Sequence, residues 1–206
     1  MPGPQLVSND LSGYHNADLA KTHSRLMKGG SWKKQRIIVV VPTADRIPAK
    51  CALAMWNLAF PPNNGVVKIL ATGMEVGDAY STAIENILAN PELSTWEYVL
   101  TIEEDNAPPP DGVIKLVDRM EANPDLSCIG GLYFTKGEGG CAQIWRDASD
   151  RILNFRPQLP DPNGGLVRTY GTGMGFNLWR LSMFKDPKFP RPLFRTKRGL
   201  NGEGVG

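Results

Sequence analysis

The feature that most constrains this chain is the run Ile37-Ile38-Val39-Val40-Val41, closed by Pro42. β-Branched side chains favour a strand, and an apolar run without polar alternation suits a strand covered on both faces, as in parallel sheets. The chain then supplies candidate covers. Residues 48–60 place Ala52, Met55, Trp56 and Ala59 at helical spacing and stop at Pro61-Pro62-Asn63-Asn64-Gly65. Residues 66–71 read as a second strand. Residues 78–89 read as a helix with Ala79, Ala83, Ile87 and Leu88 on one face, ended by Asn90-Pro91. Residues 98–102 form a third expected strand, which runs into Glu103-Glu104-Asp105-Asn106. Asp111 is placed to cap a helix over 112–122, and residues 127–134 give a fourth strand. This alternation predicts right-handed βαβ units, hence an α/β fold with a mostly parallel central sheet flanked by helices.

After Thr135 the rhythm changes. A loop at 137–140 is followed by short strand-like pieces at 142–145, 152–155 and 166–170, which predict a smaller antiparallel portion. Gly171-Thr172-Gly173-Met174-Gly175 then leads into 176–184, read as a strand passing into a helix. The 22 glycines and 17 prolines fall between the apolar runs, so long functional loops are expected. A length of 206 residues suits one domain. The expected division is a polar N-terminal arm at 1–34, a domain at 35–184 and a flexible basic tail at 185–206.

Charge and cysteine usage narrow the partners. Six basic residues and no acid lie between Lys21 and Arg36, and six basic against two acidic residues lie from Lys185 onward. Neither cluster accompanies a base-reading motif, so both read as solvated segments and nucleic acid is not the expected partner. Three cysteines without a CxxC pair argue against a disulfide scaffold and a cysteine zinc site, and favour a cytoplasmic protein. No run is long and apolar enough for a signal peptide core or a membrane span.

The acidic strand end carries the chemistry. In open α/β sheets ligands bind beyond the carboxyl ends of the strands, where Glu103, Glu104 and Asp105 sit. Adjacent carboxylates repel, and a cation is the usual compensation. Alternation along an extended chain puts Glu103 and Asp105 on one side and Glu104 on the other. The pair can share one hard divalent ion, Mn²⁺ or Mg²⁺. The competing reading is a solvated acidic turn leading into Pro108-Pro109-Pro110.

Val39-Val40-Val41-Pro42-Thr43 and residues 98–109 (YVLTIEEDNAPP) resemble the first strand and the DXD strand of GT-A glycosyltransferases of the family-two kind. Asp78-Ala79-Tyr80-Ser81 sits where those enzymes open a helix under the nucleotide. Residues 171–180 (GTGMGFNLWR) resemble the segment that lines their acceptor site. The likeness runs over residues 37–184. It implies a GT-A-like single domain with a nucleotide-binding half at 35–135 and an acceptor half at 136–184. It implies a UDP- or GDP-sugar donor, an acceptor hydroxyl, and a metal on Glu103 and Asp105 with Glu104 in support. Pro42, Thr43, Asp45 and Asp78 fall on the nucleotide side of this scheme, and Gly173 and Trp179 on the acceptor side. Glu103 stands where the family most often has Asp. His15 and His23 both lie in the arm, so a third ligand late in the chain is absent or is water. The catalytic base of direct displacement usually follows the acceptor segment. Glu203 is the acid found there, in a glycine-rich stretch with nothing to hold it, and a retaining mechanism needs no such base.

Several residues carry two readings. Asp45 serves the base or ribose, or shapes the turn before Pro48. Asp78 touches the nucleotide or caps its helix. Trp145 and Trp179 stack on a ligand or pack, while Tyr133 is expected in the core. Gly171, Gly173 and Gly175 let backbone approach the acceptor. Arg191, Arg195, Lys197 and Arg198 close over a diphosphate or belong to a disordered tail. A nucleotidyltransferase is the first rival function, but Thr43-Ala44-Asp45-Arg46 is not the glycine-rich basic loop it would need. A non-catalytic nucleotide- or sugar-binding domain is the second.

Overall fold

The computed structural model describes residues 24, 34–63, 65–135, 137–148, 155–198 and 204–205. The expected arm lies almost wholly outside these residues, and Glu203 lies outside them as well.

All seven residues of β1 (Ile37–Thr43) are buried. The two-residue period of a strand explains how. Ile37, Val39 and Val41 pack into a core with Val113, Ile114, Val117 and Met120 of α3 (Gly112–Ala122). Ile38 and Val40 pack on the other face against Tyr80, Ala83, Ile84 and Ile87 of α2 (Val76–Ala89). Each fully buried Val or Ile contributes about 2 kcal/mol, so a polar residue at any position of 37–41 would cost on either side. α1 (Ala49–Trp56) follows β1 and ends before residues 57–60, which the spacing had included.

The central sheet is mixed. It runs β2 (Val66–Thr72), β1, β3 (Tyr98–Ile102), β8 (Phe176–Arg180), β4 (Cys128–Gly130). β1 pairs in parallel with β2 and β3, whereas β8 enters antiparallel between β3 and β4. Four of the five strands therefore point the same way and β8 alone runs against them, so parallel ladders join only β2, β1 and β3. The cause is local: residues 173–175 deliver the chain to the C-terminal end of β3, so β8 can only run back down, with Phe176 opposite Ile102 and Arg180 opposite Tyr98.

β4 is three residues long instead of the expected eight. Gly131 still donates to the Phe176 carbonyl at 2.8 Å, after which the chain leaves the sheet. A second sheet has the order β6-β5-β7, from β5 (Ile144–Ala148), β6 (Phe155–Pro157) and β7 (Gly171–Thr172), paired antiparallel. Its strands lie a few residues C-terminal to the expected pieces. β9 (Lys197–Arg198) and β10 (Gly204–Val205) pair with each other.

The segment after α4 (Leu181–Phe184) is not a free tail through residue 196. Ser81 Oγ donates to the Phe194 carbonyl and accepts from the Phe194 N–H, both at 2.8 Å. Arg191 Nε pairs with Glu85 at 2.7 Å, and Leu193 is buried. The apolar side chains of Leu193 and Phe194 explain the docking: they join the core over α2. Among the described residues no helix is long and apolar enough to cross a membrane.

Candidate functional site

β1, β2 and β3 end at one rim of the sheet, and the chain reverses there after β3. Asn106 N–H donates to the Glu103 carbonyl at 3.1 Å, which makes 103–106 a turn and not the extended chain that the alternation argument assumed. The turn still divides the acids. Glu104 reaches back to the end of β1, accepting from Thr43 Oγ1 at 2.5 Å and from the Ala44 N–H at 3.0 Å. Thr43 Oγ1 in turn accepts from the Asp45 N–H at 3.0 Å. Asp45 itself adopts φ 63°, the left-handed region that Asp tolerates in turns. Thr43, Asp45 and Glu104 thus form one lock that joins two strand ends. Pro42 is buried inside β1 opposite Ala71.

Glu103 stays over the sheet. Its N–H donates to the Gly175 carbonyl at 3.2 Å, continuing the β3–β8 ladder by one residue. Burial first, and then the neighbouring Asp105 carboxylate, push the Glu103 carboxyl above its ordinary range. Among the described residues Glu103 has no cationic partner. Asp105 is exposed at the outer corner of the same turn.

Two tyrosines complete the arrangement. Tyr133, expected in the core, lies beyond β4, and its Oη accepts from the Gly175 N–H at 3.1 Å. Its ring explains the glycines of the Gly171–Gly175 stretch. A Cβ at Gly173 would collide with the Tyr133 hydroxyl, and one at Gly175 with Asn106 Nδ2 and the Tyr133 ring. Burial raises the Tyr133 phenol, the Gly175 bond lowers it, and the charges of Glu103 and Asp105 raise it further. Tyr80, in the second turn of α2, is 1% exposed. Burial chiefly, then the charge of Glu103, push its phenol far above the ordinary range.

Other expected site residues fall elsewhere. Asp78 is exposed in the first turn of α2, but the cap is Glu75, which accepts from the N–H groups of Gly77 and Asp78 and binds Thr196. Asp111 makes no side-chain cap and pairs instead with Lys115 at 2.7 Å. Trp179 is a packing residue: Nε1 donates to the buried Thr101 Oγ1 at 3.0 Å, and the ring meets Phe184 and Phe194. Gly173 accepts from Asn177 Nδ2 at 2.8 Å and stands beside Tyr133. Of the two tyrosines, Tyr133 alone left a trace in the sequence. Glycines spaced by one residue at a strand entry leave room for a large ring, and an aromatic had to fill it.

Among the described residues no group of three or more His, Cys, Asp and Glu side chains is arranged to hold a metal. A groove of about 710 Å³ between α2 and α4, lined in part by Glu85, Leu88, Phe184 and Arg191, lies at a distance from the acidic turn.

No protein-family model matches this chain, and no curated protein matches it by sequence. Among solved structures it is similar to A197 from STIV, with 14% identity, a TM-score of 0.52, and 82% of this chain and 74% of that chain covered. At that identity the likeness bears on the fold.

Proposed function

We propose that this chain is a GT-A-like glycosyltransferase domain that transfers a sugar from a UDP- or GDP-sugar to an acceptor hydroxyl with the help of Mn²⁺ or Mg²⁺. The observation that carries the reading is Glu103: a half-buried carboxylate at the C-terminal end of a central strand, pressed by Asp105 and without a cationic partner among the described residues. Open α/β sheets bind ligands at that rim. Two carboxylates fit a small hard cation that keeps water and substrate phosphates as its remaining ligands. Bound there, such an ion would offset the charge that develops on the departing diphosphate.

The chain's own groups do the positioning. Glu104 is committed to Thr43 and Ala44, so it holds the β1 end and the acidic turn in fixed relation. The sheet β6-β5-β7 stands behind the Gly171–Gly175 stretch, through the bond from Gly173 N–H to the Gln143 carbonyl at 3.0 Å. This supports an acceptor side next to the nucleotide side.

The test is thermal unfolding of the full chain with UDP or GDP, with and without Mn²⁺. Nucleotide at a hundred times its Kd stabilises by about 2.7 kcal/mol. That gain is expected with Mn²⁺ and is expected to vanish in Glu103→Ala with Asp105→Ala, while the ligand-free stability of the variant stays within about 1 kcal/mol of the parent. No nucleotide effect in the parent chain, with or without Mn²⁺, removes the reading. Binding without release of UDP or GDP from the nucleotide-sugar reduces it to a binding module.

A further inference from the structure

β2 is the long edge of the central sheet. Among the described residues it pairs on one side only, with β1, in an unbroken register that runs from Val66 opposite Ile37 to Thr72 opposite Thr43. The ladder fixes which backbone groups of β2 are free. Ile37 N–H donates to the Gly65 carbonyl at 2.8 Å. In a parallel pair the bonding groups of a strand alternate between its two sides. Val67, Ile69 and Ala71 therefore turn N–H and C=O towards β1, while Val66, Lys68, Leu70 and Thr72 turn theirs outward. Such an edge is a template for a further strand, and proteins commonly guard it with a proline, a bulge or an outward charge. β2 has no proline and no register shift. Its one charge, Lys68, leans back on its own chain: Nζ sits 5.8 Å from the centroid of the Phe60 ring, which packs against the core. Next to it on the same face, Leu70 is 59% exposed.

The strand is complementary to itself. Two copies related by a two-fold axis through this edge pair antiparallel, and the outward residues of one must face the outward residues of the other. One such register overlaps the whole of β2. It sets Val66 opposite Thr72 of the second copy, Lys68 opposite Leu70, and Ile69 opposite its own counterpart on the axis. That register exchanges about eight backbone hydrogen bonds. It also lays each lysine stem against the exposed leucine of the other copy, so no like charges are opposed. The neighbouring register in one direction opposes the two lysines, and in the other it gives up a bonded pair.

We propose that β2 is a self-association edge, at which two copies of this chain join their five-stranded sheets into one, with Lys68 of each opposite Leu70 of the other. The far edge, β4, is three residues long and offers no comparable ladder, so the assembly closes at two. The inference goes beyond the transferase reading and does not depend on it.

The test is the mass of the full chain in solution, measured by sedimentation equilibrium at micromolar concentrations. The parent is expected at twice the chain mass. Leu70→Lys is expected at the chain mass, with the dissociation constant raised about a hundredfold or more, because it opposes two pairs of ammonium groups across the axis. Leu70 is largely exposed, so the fold of the single chain should survive the substitution, read as an unchanged far-ultraviolet circular dichroism spectrum. Adding Lys68→Glu to Leu70→Lys turns both like-charge pairs into opposite-charge pairs and should restore the dimer. That rescue depends on the register and separates a broken interface from a damaged fold. A parent chain that stays at the chain mass overturns the proposal and leaves the edge open or covered by another segment. A dimeric Leu70→Lys places the contact elsewhere and overturns it as well. A double variant that remains monomeric removes the register, and the proposal with it.

Discussion

The two ends of the central sheet carry the same kinds of side chain and use them differently. At the N-terminal strand ends, Arg36 holds Glu97 through Nε at 3.0 Å and Nη2 at 2.8 Å, and Nη2 also donates to the Thr95 carbonyl at 2.8 Å. Arg180 donates to the carbonyls of Leu126 at 2.8 Å and Met120 at 2.7 Å, and to Tyr98 Oη at 3.1 Å, while Tyr98 donates to Glu121. At the C-terminal ends Glu103 lacks a cation, and on α2 the Tyr80 hydroxyl lacks a hydrogen-bond partner, both among the described residues. Buried polar groups are normally satisfied. The N-terminal end has used its charged groups to build tertiary structure, although Trp96 Nε1 there also lacks a hydrogen-bond partner among the described residues. The other has kept some in reserve, which is what a ligand site requires. Substitutions should accordingly divide into those that move stability and those that move ligand response.

The largest effect is expected at the structural end. Arg180→Ala removes three donated bonds and leaves the Met120 carbonyl in the last turn of α3 and the Leu126 carbonyl beyond it without this partner. It should lower stability by about 3 kcal/mol, read as a fall in the urea midpoint at constant slope. A loss below about 1 kcal/mol would erase the contrast between the ends. Gly175→Ala at the other rim should cost about 2 kcal/mol through overpacking, since the new methyl collides with Asn106 and Tyr133. It sharpens the comparison, because in a folded variant the displaced turn 103–106 should also weaken Mn²⁺-dependent nucleotide binding, which Arg180→Ala should leave intact. Thr43→Val is expected to cost about 1.5 kcal/mol by breaking the bonds to Glu104 and the Asp45 N–H, measured by chemical unfolding.

The parallel half of the sheet was the legible part, whereas the polar network of the structural end was not. Ile37 to Val41 announced a strand covered on both faces because every residue of it is apolar, and the helices α2 and α3 followed from periods that burial enforces. The antiparallel entry of β8 was not legible. Nothing in Phe176 to Arg180 encodes direction; direction comes from where residues 171–175 cross the rim. The docking of residues 185–196 was hidden for a related reason. Its composition is basic and proline-rich, and the contacts that hold it, Phe194 on Ser81 and Arg191 on Glu85, are separated by more than a hundred residues. At the site, the carboxylates stood out because adjacent acids are electrostatically costly. Tyr80 and Tyr133 did not, because an aromatic in an apolar stretch looks like core until the surroundings of its hydroxyl are seen.

The smallest effect concerns the ionisation of Glu103. Burial, and next the Asp105 charge, raise its folded pKa above the unfolded value. Below the ordinary carboxylate range both states hold the proton, and Glu103 does not affect stability. As pH rises through the unfolded pKa towards the folded one, the unfolded chain releases its proton first, so this group's contribution to stability falls. Glu103→Gln removes that loss. In the absence of divalent ions its unfolding free energy should match the parent's at acid pH and exceed it at neutral pH, by at most about 1 kcal/mol because solvent still reaches a half-buried carboxylate. Saturating Mn²⁺ should reverse the order at neutral pH, with the parent now more stable than the variant, since the cation favours the ionised carboxylate that Gln lacks. A variant that stays ahead of the parent in Mn²⁺ would mean that the strain at this rim is relieved by something other than a cation.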